Sequence, residues 1–310
     1  MSRDRDPRCL CEHGPSGAHD PGCPTWTEPP SRTPGVQPLT VIQDSVNVTV
    51  EEMAWRVIRT REEHGDLLQQ YHQVWYNAPH TWHYLSFLGV GMMKCPNDLW
   101  MYQQLMAETR PKVVIETGTY QGGSALWFAY LMDMLAIEGG RVFTVDFEDR
   151  RRCDHPRITF LGGDSRDPEI RDAIRDELGP GPRMISLDAD HSAAHVLKEL
   201  ELYAPLAQVG DYLVVEDTNI AWGEVHRPVV CADGLGRCWC GAVFAIDVTS
   251  LDQVKCPNDD GSGDRGARGG IEDYLSKHPG EFVQEVLCER WLLTMHPGGW
   301  LRRVAECPHG

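Results

Sequence analysis

Residues 112–124 read KVVIETGTYQGGS, and this stretch decides the fold. VVIET is a short apolar run of buried-strand character, too brief for a helix and rich in β-branched residues. A glycine-rich turn follows, and Gly122–Ile137 then carries the composition of a helix. The alternation continues outward. RVFTVDF and RITFLG read as strands, Pro168–Leu178 as a helix, RMISLDAD as a strand, Ser192–Leu206 as a helix and DYLVVED as a strand. Short apolar runs alternating with helices of this length predict an α/β fold, a mostly parallel, doubly wound sheet covered on both faces. Right-handed crossovers bring the carboxyl ends of the strands to one edge, where such sheets bind ligands. The segment FVQEVLCERWLLTMHPGGWLRRV predicts two further strands, an antiparallel C-terminal pair closing the sheet.

The flanks have a different character. Eight of the 21 prolines fall between Pro7 and Pro38, so residues 1–45 read as an irregular tail. Residues 46–110 read as a helical N-terminal extension. Apolar residues at Met53, Val57, Ile58, Leu67, Leu68 and Tyr71 have helical spacing, and a second helix is expected with Asn97 as its N-cap. Between these helices, Trp75, Tyr76, Trp82, Tyr84 and Phe87 either line a pocket or pack on the core. Residues 111–310 form the main domain, interrupted at about 221–270 by a cysteine-containing insertion whose end, NDDGSGDRGARGG, reads as flexible linker.

Composition narrows the function. With 46 acidic and 29 basic residues the formal net charge of the 310-residue chain is −17, which disfavours partners carrying a phosphate backbone or an anionic membrane surface. The longest stretch free of charged residues, Leu67–Met93, contains Gln, Asn, Pro and His and is no membrane span. The opening MSRDRDPRCLCEHG has no apolar secretory core, so a cytoplasmic location is expected, with the eleven cysteines as thiols or metal ligands.

Acids mark the ligand edge. Glu116 ends the first strand, before the turn of Gly118 and Gly122 that leads to Ser124. The turn lacks both the G-x-G-x-x-G and the Gly-Lys-Ser/Thr patterns, so a pyrophosphate cradle is disfavoured and a cationic group suits the acid better. Asp146 ends the second strand, where an acid can bind ribose hydroxyls. Asp164 and Ser165 end the third, where a carboxylate could meet an adenine amino group. Amine, ribose and adenine together suggest S-adenosylmethionine. Each acid alone could simply cap a helix.

Asp188 ends the fourth strand, and Glu216 and Asp217 end the fifth. These neighbouring loops could bring three hard oxygen ligands together for Mg²⁺ or a similar divalent ion. The bland alternative is helix capping with solvated loop acids. His191, three residues after Asp188, is suited to taking a proton from an acceptor hydroxyl; His195, one helical turn on, reads as structural.

On six segments the chain resembles the cephalosporin hydroxylase family of class I methyltransferase-fold proteins: KCPNDLWMYQQLMAETRP, IETGTYQGGSALWFA, HPRITFLGGDSRDPEI, LDADHSAAHVLKELELYAPL, GDYLVVEDTN and LTMHPGGWLRRV. The resemblance covers about Tyr71–Val304 apart from the insertion. It implies a Rossmann-like class I methyltransferase fold, S-adenosylmethionine held by Glu116, Gly118, Gly122, Ser124 and Asp146, and Mg²⁺ held by Asp188, Glu216 and Asp217. The Asp188-x-x-His191 spacing is also similar to that of metal-dependent sugar O-methyltransferases of macrolide pathways, which supports His191 as general base. The implied activity is O-methylation of a small hydroxylated metabolite or sugar, by a homo-oligomer. One rival reading is a natural-product hydroxylase binding iron through the same carboxylates. Another is a zinc-dependent interaction protein on a degenerate methyltransferase scaffold, whose function would survive loss of Asp188 and Glu216.

Two clusters depart from that family pattern. Cys9, Cys11, His13, His19 and Cys23 in the tail have the composition of a small zinc knuckle, and Cys231, Cys238, Cys240 and Cys256 in the insertion could close a second tetrahedral site. Incidental thiols in loops are the alternative for both.

Overall fold

The structure, a computed structural model, describes residues 49–77, 82, 84–221, 229–230, 235–237, 243–245 and 264–305. The nine cysteine and histidine residues singled out for zinc, Cys9, Cys11, His13, His19, Cys23, Cys231, Cys238, Cys240 and Cys256, lie outside them.

In chain order, helix α1 (Val50–Asn77) leads to a small hairpin of β1 (Ser86–Phe87) and β2 (Val90–Gly91), then to α2 (Pro96–Thr109). The alternating core follows as β3 (Val113–Thr117), α3 (Gly123–Met134), β4 (Arg141–Asp146), β5 (Ile158–Gly162), α4 (Pro168–Asp176), β6 (Arg183–Leu187), α5 (Ala193–Tyr203) and β7 (Tyr212–Val215). Three short strands, β8 (Val229–Val230), β9 (Leu235–Arg237) and β10 (Val243–Ala245), pair among themselves. The chain then forms α6 (Gly266–Lys277), β11 (Phe282–Gln284) and β12 (Trp300–Arg303).

The central sheet has the order β11-β12-β7-β6-β3-β4-β5. The five strands β7, β6, β3, β4 and β5 run parallel, while β12 is antiparallel to β7 and to β11. The predicted α/β fold and the antiparallel C-terminal pair are therefore present. Strand side chains alternate between two cores, as a period of two requires. Val113 and Ile115 join Val196, Leu200 and Ile271 on one face, and Val114 joins Tyr102, Leu105, Phe128 and Trp300 on the other.

Three details differ from expectation. The N-cap of α2 is Cys95, because Pro96 supplies a helix-ready φ at the first position; Asn97 instead donates through Nδ2 to the Leu293 carbonyl at 3.2 Å. On α1, Val57 is buried but Leu67 and Tyr71 are exposed, and the helix bends at His64. Among the aromatic candidates, Tyr84 is exposed, whereas Phe87 packs edge-on against Tyr130 at 6.0 Å.

A further difference is α6, whose first residues, Gly266–Gly270, read as linker. Glycine ordinarily weakens a helix, yet here it lets α6 approach α5 closely. A Cβ on Gly270 would lie 2.8 Å from both the Ala193 carbonyl oxygen and the Val196 Cβ. The apolar face carried by Ala267, Ile271 and Tyr274 is buried against the core, and that burial outweighs the propensity cost.

Candidate active site

Strand register sets the site. Thr117 pairs with Leu187, and Leu187 with Val215, so Gly118, Asp188 and Glu216 emerge at the same level on the carboxyl edge of three adjacent parallel strands. Gly118 has a φ of +85°, and a Cβ there would sit 1.9 Å from the Asp188 carbonyl oxygen. The glycine turn and the Asp188 loop therefore touch backbone to backbone, which only glycine permits.

Glu116 lies buried beneath that turn. Its Oε2 accepts from Thr144 Oγ1 at 2.8 Å, and Thr144 is paired in turn with Thr119. Its Oε1 is buried without a hydrogen-bond partner. Burial raises the Glu116 carboxyl to about 7 against the opposing pull of Lys94, Ser124 and Thr144. An acid sequestered with one free oxygen is suited to an incoming cation. Gly122, the N-cap of α3 at φ +85°, completes the turn, and Ser124 is buried in the first turn of the helix.

The other expected cofactor residues are already engaged. Asp146 accepts the Tyr120 N–H at 2.9 Å through Oδ2 and the Glu148 N–H at 3.3 Å through Oδ1, which ties the end of β4 to the glycine turn. Asp164, expected opposite an adenine amino group, also pairs with Arg166, with Oδ2 2.7 Å from Nη2, and accepts the Arg166 backbone N–H at 2.8 Å. Those Arg166 contacts hold its carboxyl below the usual range. Ser165 turns inward. Its Oγ is 3.1 Å from His195 Nε2, and its carbonyl accepts from Tyr203 at 2.9 Å.

Across the turn, donor atoms of Asp188, His191 and Asp217 lie within 4.8 Å of one another, and they are the one such group among the described residues. His191 Nε2 is 3.4 Å from Asp217 Oδ2 and 4.0 Å from Asp188 Oδ1. Asp217 adopts a left-handed φ of +53°, a conformation that Asp tolerates better than most side chains. Its N–H donates to His296 Nδ1 at 3.1 Å, which fixes this turn.

Glu216 faces inward. Its Oε1 accepts from Tyr102 at 2.8 Å and, more closely, from Ser186 and Lys94. Its Oε2 lies 3.5 Å from His296 Nε2. Glu216 was expected in the metal set with Asp188 and Asp217. The structure groups His191 with those two acids and commits one Glu216 oxygen to Lys94. Lys94 also reaches Asp188 Oδ2 at 2.7 Å. Despite burial, Lys94 and His296 pull Glu216 down to about 2; burial and the Glu216 charge push Asp188 up. Burial works against the Lys94 charge, but Asp188, Glu216 and Glu116 together raise its pKa above the usual lysine range.

The residues fit the groups that the edge implies. The carboxylates of Asp188 and Asp217, with Glu216 behind them, suit a hard divalent ion, and the His191 imidazole stands beside them. The unpaired Glu116 Oε1 beside the glycine turn suits a cationic cofactor group.

Fold and site together define a Rossmann-like class I methyltransferase-fold protein with an acidic, metal-competent ligand edge. A family model described as Rhamnosyl O-methyltransferase/CmcI matches residues 79–231. Rhamnosyl O-methyltransferase of Mycobacterium tuberculosis is 40% identical over 159 residues, covering 49% of this chain and 64% of its own length. The Mycobacterium leprae protein of the same name is 37% identical over 159 residues, 50% of this chain and 69% of its own length. A solved structure of CmcI with Mg and SAM superposes with a TM-score of 0.50 at 21% identity, covering 75% of this chain and 84% of that one. The chain belongs to the rhamnosyl O-methyltransferase/CmcI family.

Proposed function

We propose that this chain transfers a methyl group from S-adenosylmethionine to a hydroxyl of a small acceptor, a sugar moiety, with a divalent ion of the Mg²⁺ type at the Asp188 edge. The observation that carries this reading is the junction of two sites. The buried, half-partnered Glu116 and the Asp188–His191–Asp217 group meet where Gly118 touches the Asp188 backbone. The names of the mycobacterial relatives support a sugar acceptor, and CmcI with Mg and SAM supports the fold.

In this reading Glu116 receives the cofactor's ammonium group, and Gly118 and Gly122 let the backbone come close to it. Asp146, held by the Tyr120 and Glu148 N–H groups, receives the ribose hydroxyls in this reading. Asp188 and Asp217, with Glu216 behind them, hold the ion. When bound, the two groups supply a methyl electrophile and a Lewis acid that lowers the acceptor hydroxyl pKa. His191 takes the hydroxyl proton at Nε2, and neighbouring Asp217 stabilises the imidazolium so formed. The protein's contribution is positioning and electrostatics.

The iron hydroxylase reading draws no support from the donor set, since even with His191 counted, one imidazole beside two carboxylates is the inverse of the two-histidine, one-carboxylate iron triad. The test is incubation with isotope-labelled S-adenosylmethionine and a panel of rhamnosylated and other glycosylated acceptors, with Mg²⁺ or with EDTA. Label should enter an acceptor only when the divalent ion is present. Oxygenated, unmethylated product formed with Fe(II) and O₂ would reverse the assignment.

A further inference from the structure

Lys94 plays no part in the chemistry above, yet it is a buried cation held by two carboxylates at the ligand edge. Its side chain is 2% exposed. In the segment before α2, Met92 is buried, Met93 exposed and Lys94 buried, so the Lys94 side chain turns inward. Its ammonium spans the ends of two strands, meeting Asp188 Oδ2 at 2.7 Å and Glu216 Oε1 more closely. In each case one carboxylate oxygen is taken and the other left. Asp188 Oδ1 faces His191, and Glu216 Oε2 faces His296.

Charge balance gives this arrangement a meaning. Asp188, Glu216 and Asp217 can carry three negative charges side by side. Lys94 returns one, and the two that remain match the charge of a divalent ion. We propose that Lys94 is the resident cation of this site: it pins one oxygen each of Asp188 and Glu216, and it sets the residual charge so that the cluster prefers a divalent to a trivalent ion. It is a positioning and selectivity residue, acting through the two acids it holds. The inference rests on the metal site of the proposed function and adds what selects the ion.

The test measures affinities for Mg²⁺ and Tb³⁺ by calorimetry and terbium luminescence in the full-length wild-type protein and in K94M, K94R and K94M/E216Q. Melting temperatures with EDTA and with Mg²⁺ are read alongside. Removing one unit charge a few Å from the ion should raise the Tb³⁺ preference over Mg²⁺ in K94M by about ten-fold or more. K94R should keep the wild-type ratio. K94M/E216Q, which removes a cation and an acid together, should return towards it. The EDTA-treated K94M protein should melt lower than wild type and regain stability with metal, because its uncompensated acids then need the ion.

If K94M fails to fold, the K94M/E216Q protein and an E216Q single variant carry the comparison: E216Q, with Lys94 retained, should weaken Tb³⁺ binding more than Mg²⁺ binding. An unchanged ion preference in folded K94M, or no restoration in K94M/E216Q, overturns the proposal, since a packing role for Lys94 would lower stability without moving the ratio. A wild-type protein that binds neither ion would instead defeat the metal site itself.

Discussion

Replacing Gly118 with alanine should damage both halves of the site at once. The new Cβ would lie 1.9 Å from the Asp188 carbonyl oxygen, 2.7 Å from its carbonyl carbon and 3.3 Å from the Ala189 Cα. All three atoms are backbone, so no side chain can swing aside. Restoring an ordinary contact requires a displacement of more than about 1 Å, taken up by the glycine turn or by the Asp188 loop. The φ of +85° adds a conformational cost of about 1 kcal/mol for any residue with a Cβ. Misplacement by about 1 Å can cost a hundred-fold in catalysis. Gly118→Ala should therefore weaken both S-adenosylhomocysteine and Mg²⁺ binding, by tens of fold or more, in calorimetric titrations of the full-length protein. Gly122→Ala is the internal control. It has the same φ, but its Cβ would meet the movable Cys153 Sγ at 2.7 Å, so it should weaken the cofactor and spare the ion. If Gly118→Ala binds both ligands as the wild type does, the contact between turn and metal loop does not organise the site.

Three further outcomes are expected. His191→Ala should retain S-adenosylhomocysteine binding and lose methyl transfer by about 10²–10⁴-fold, as measured with labelled cofactor; unchanged turnover would remove His191 from the chemistry. Because Glu116 is raised to about 7, its charge is present above that pH and lost as pH falls through it. S-adenosylhomocysteine affinity should therefore fall by up to about ten-fold between pH 7 and 6, and Glu116→Gln should bind weakly with that slope flattened; a slope that survives the substitution would refute the assignment. Gly270→Leu should lower stability by about 1–3 kcal/mol through overpacking against Val196, measured by urea unfolding, while a tolerated leucine would contradict the close α5–α6 contact.

The sheet was legible because its signal is local. VVIET, RVFTVD, RMISL and YLVV are short apolar runs, and Asp188 and Glu216–Asp217 directly follow the last residues of RMISL and YLVV, so these three acids could be placed by counting alone. The division of labour among those acids was not legible. It depends on Lys94, which is 94 residues from Asp188 and 122 from Glu216 in the chain, and on His296, which lies in the connection between β11 and β12. A buried group of carboxylates signals that a cation is required, but spacing does not say which lysine supplies it. Helix α6 was missed because glycines carry the same composition in a linker as in a tight helix contact; only the partner surface on α5 distinguishes them. Asp164 shows a further limit, since its pairing with an arginine two residues away is not announced by the strand-end pattern.

The central claim is that one edge of the sheet binds a methyl-donor cofactor beside a divalent ion. The most direct measurement is the melting temperature of the full-length protein with S-adenosylhomocysteine, first in Mg²⁺ and then in EDTA. The account predicts that the cofactor product raises it, that Mg²⁺ adds a further increment, and that EDTA removes that increment alone. No shift with S-adenosylhomocysteine in either condition would contradict it.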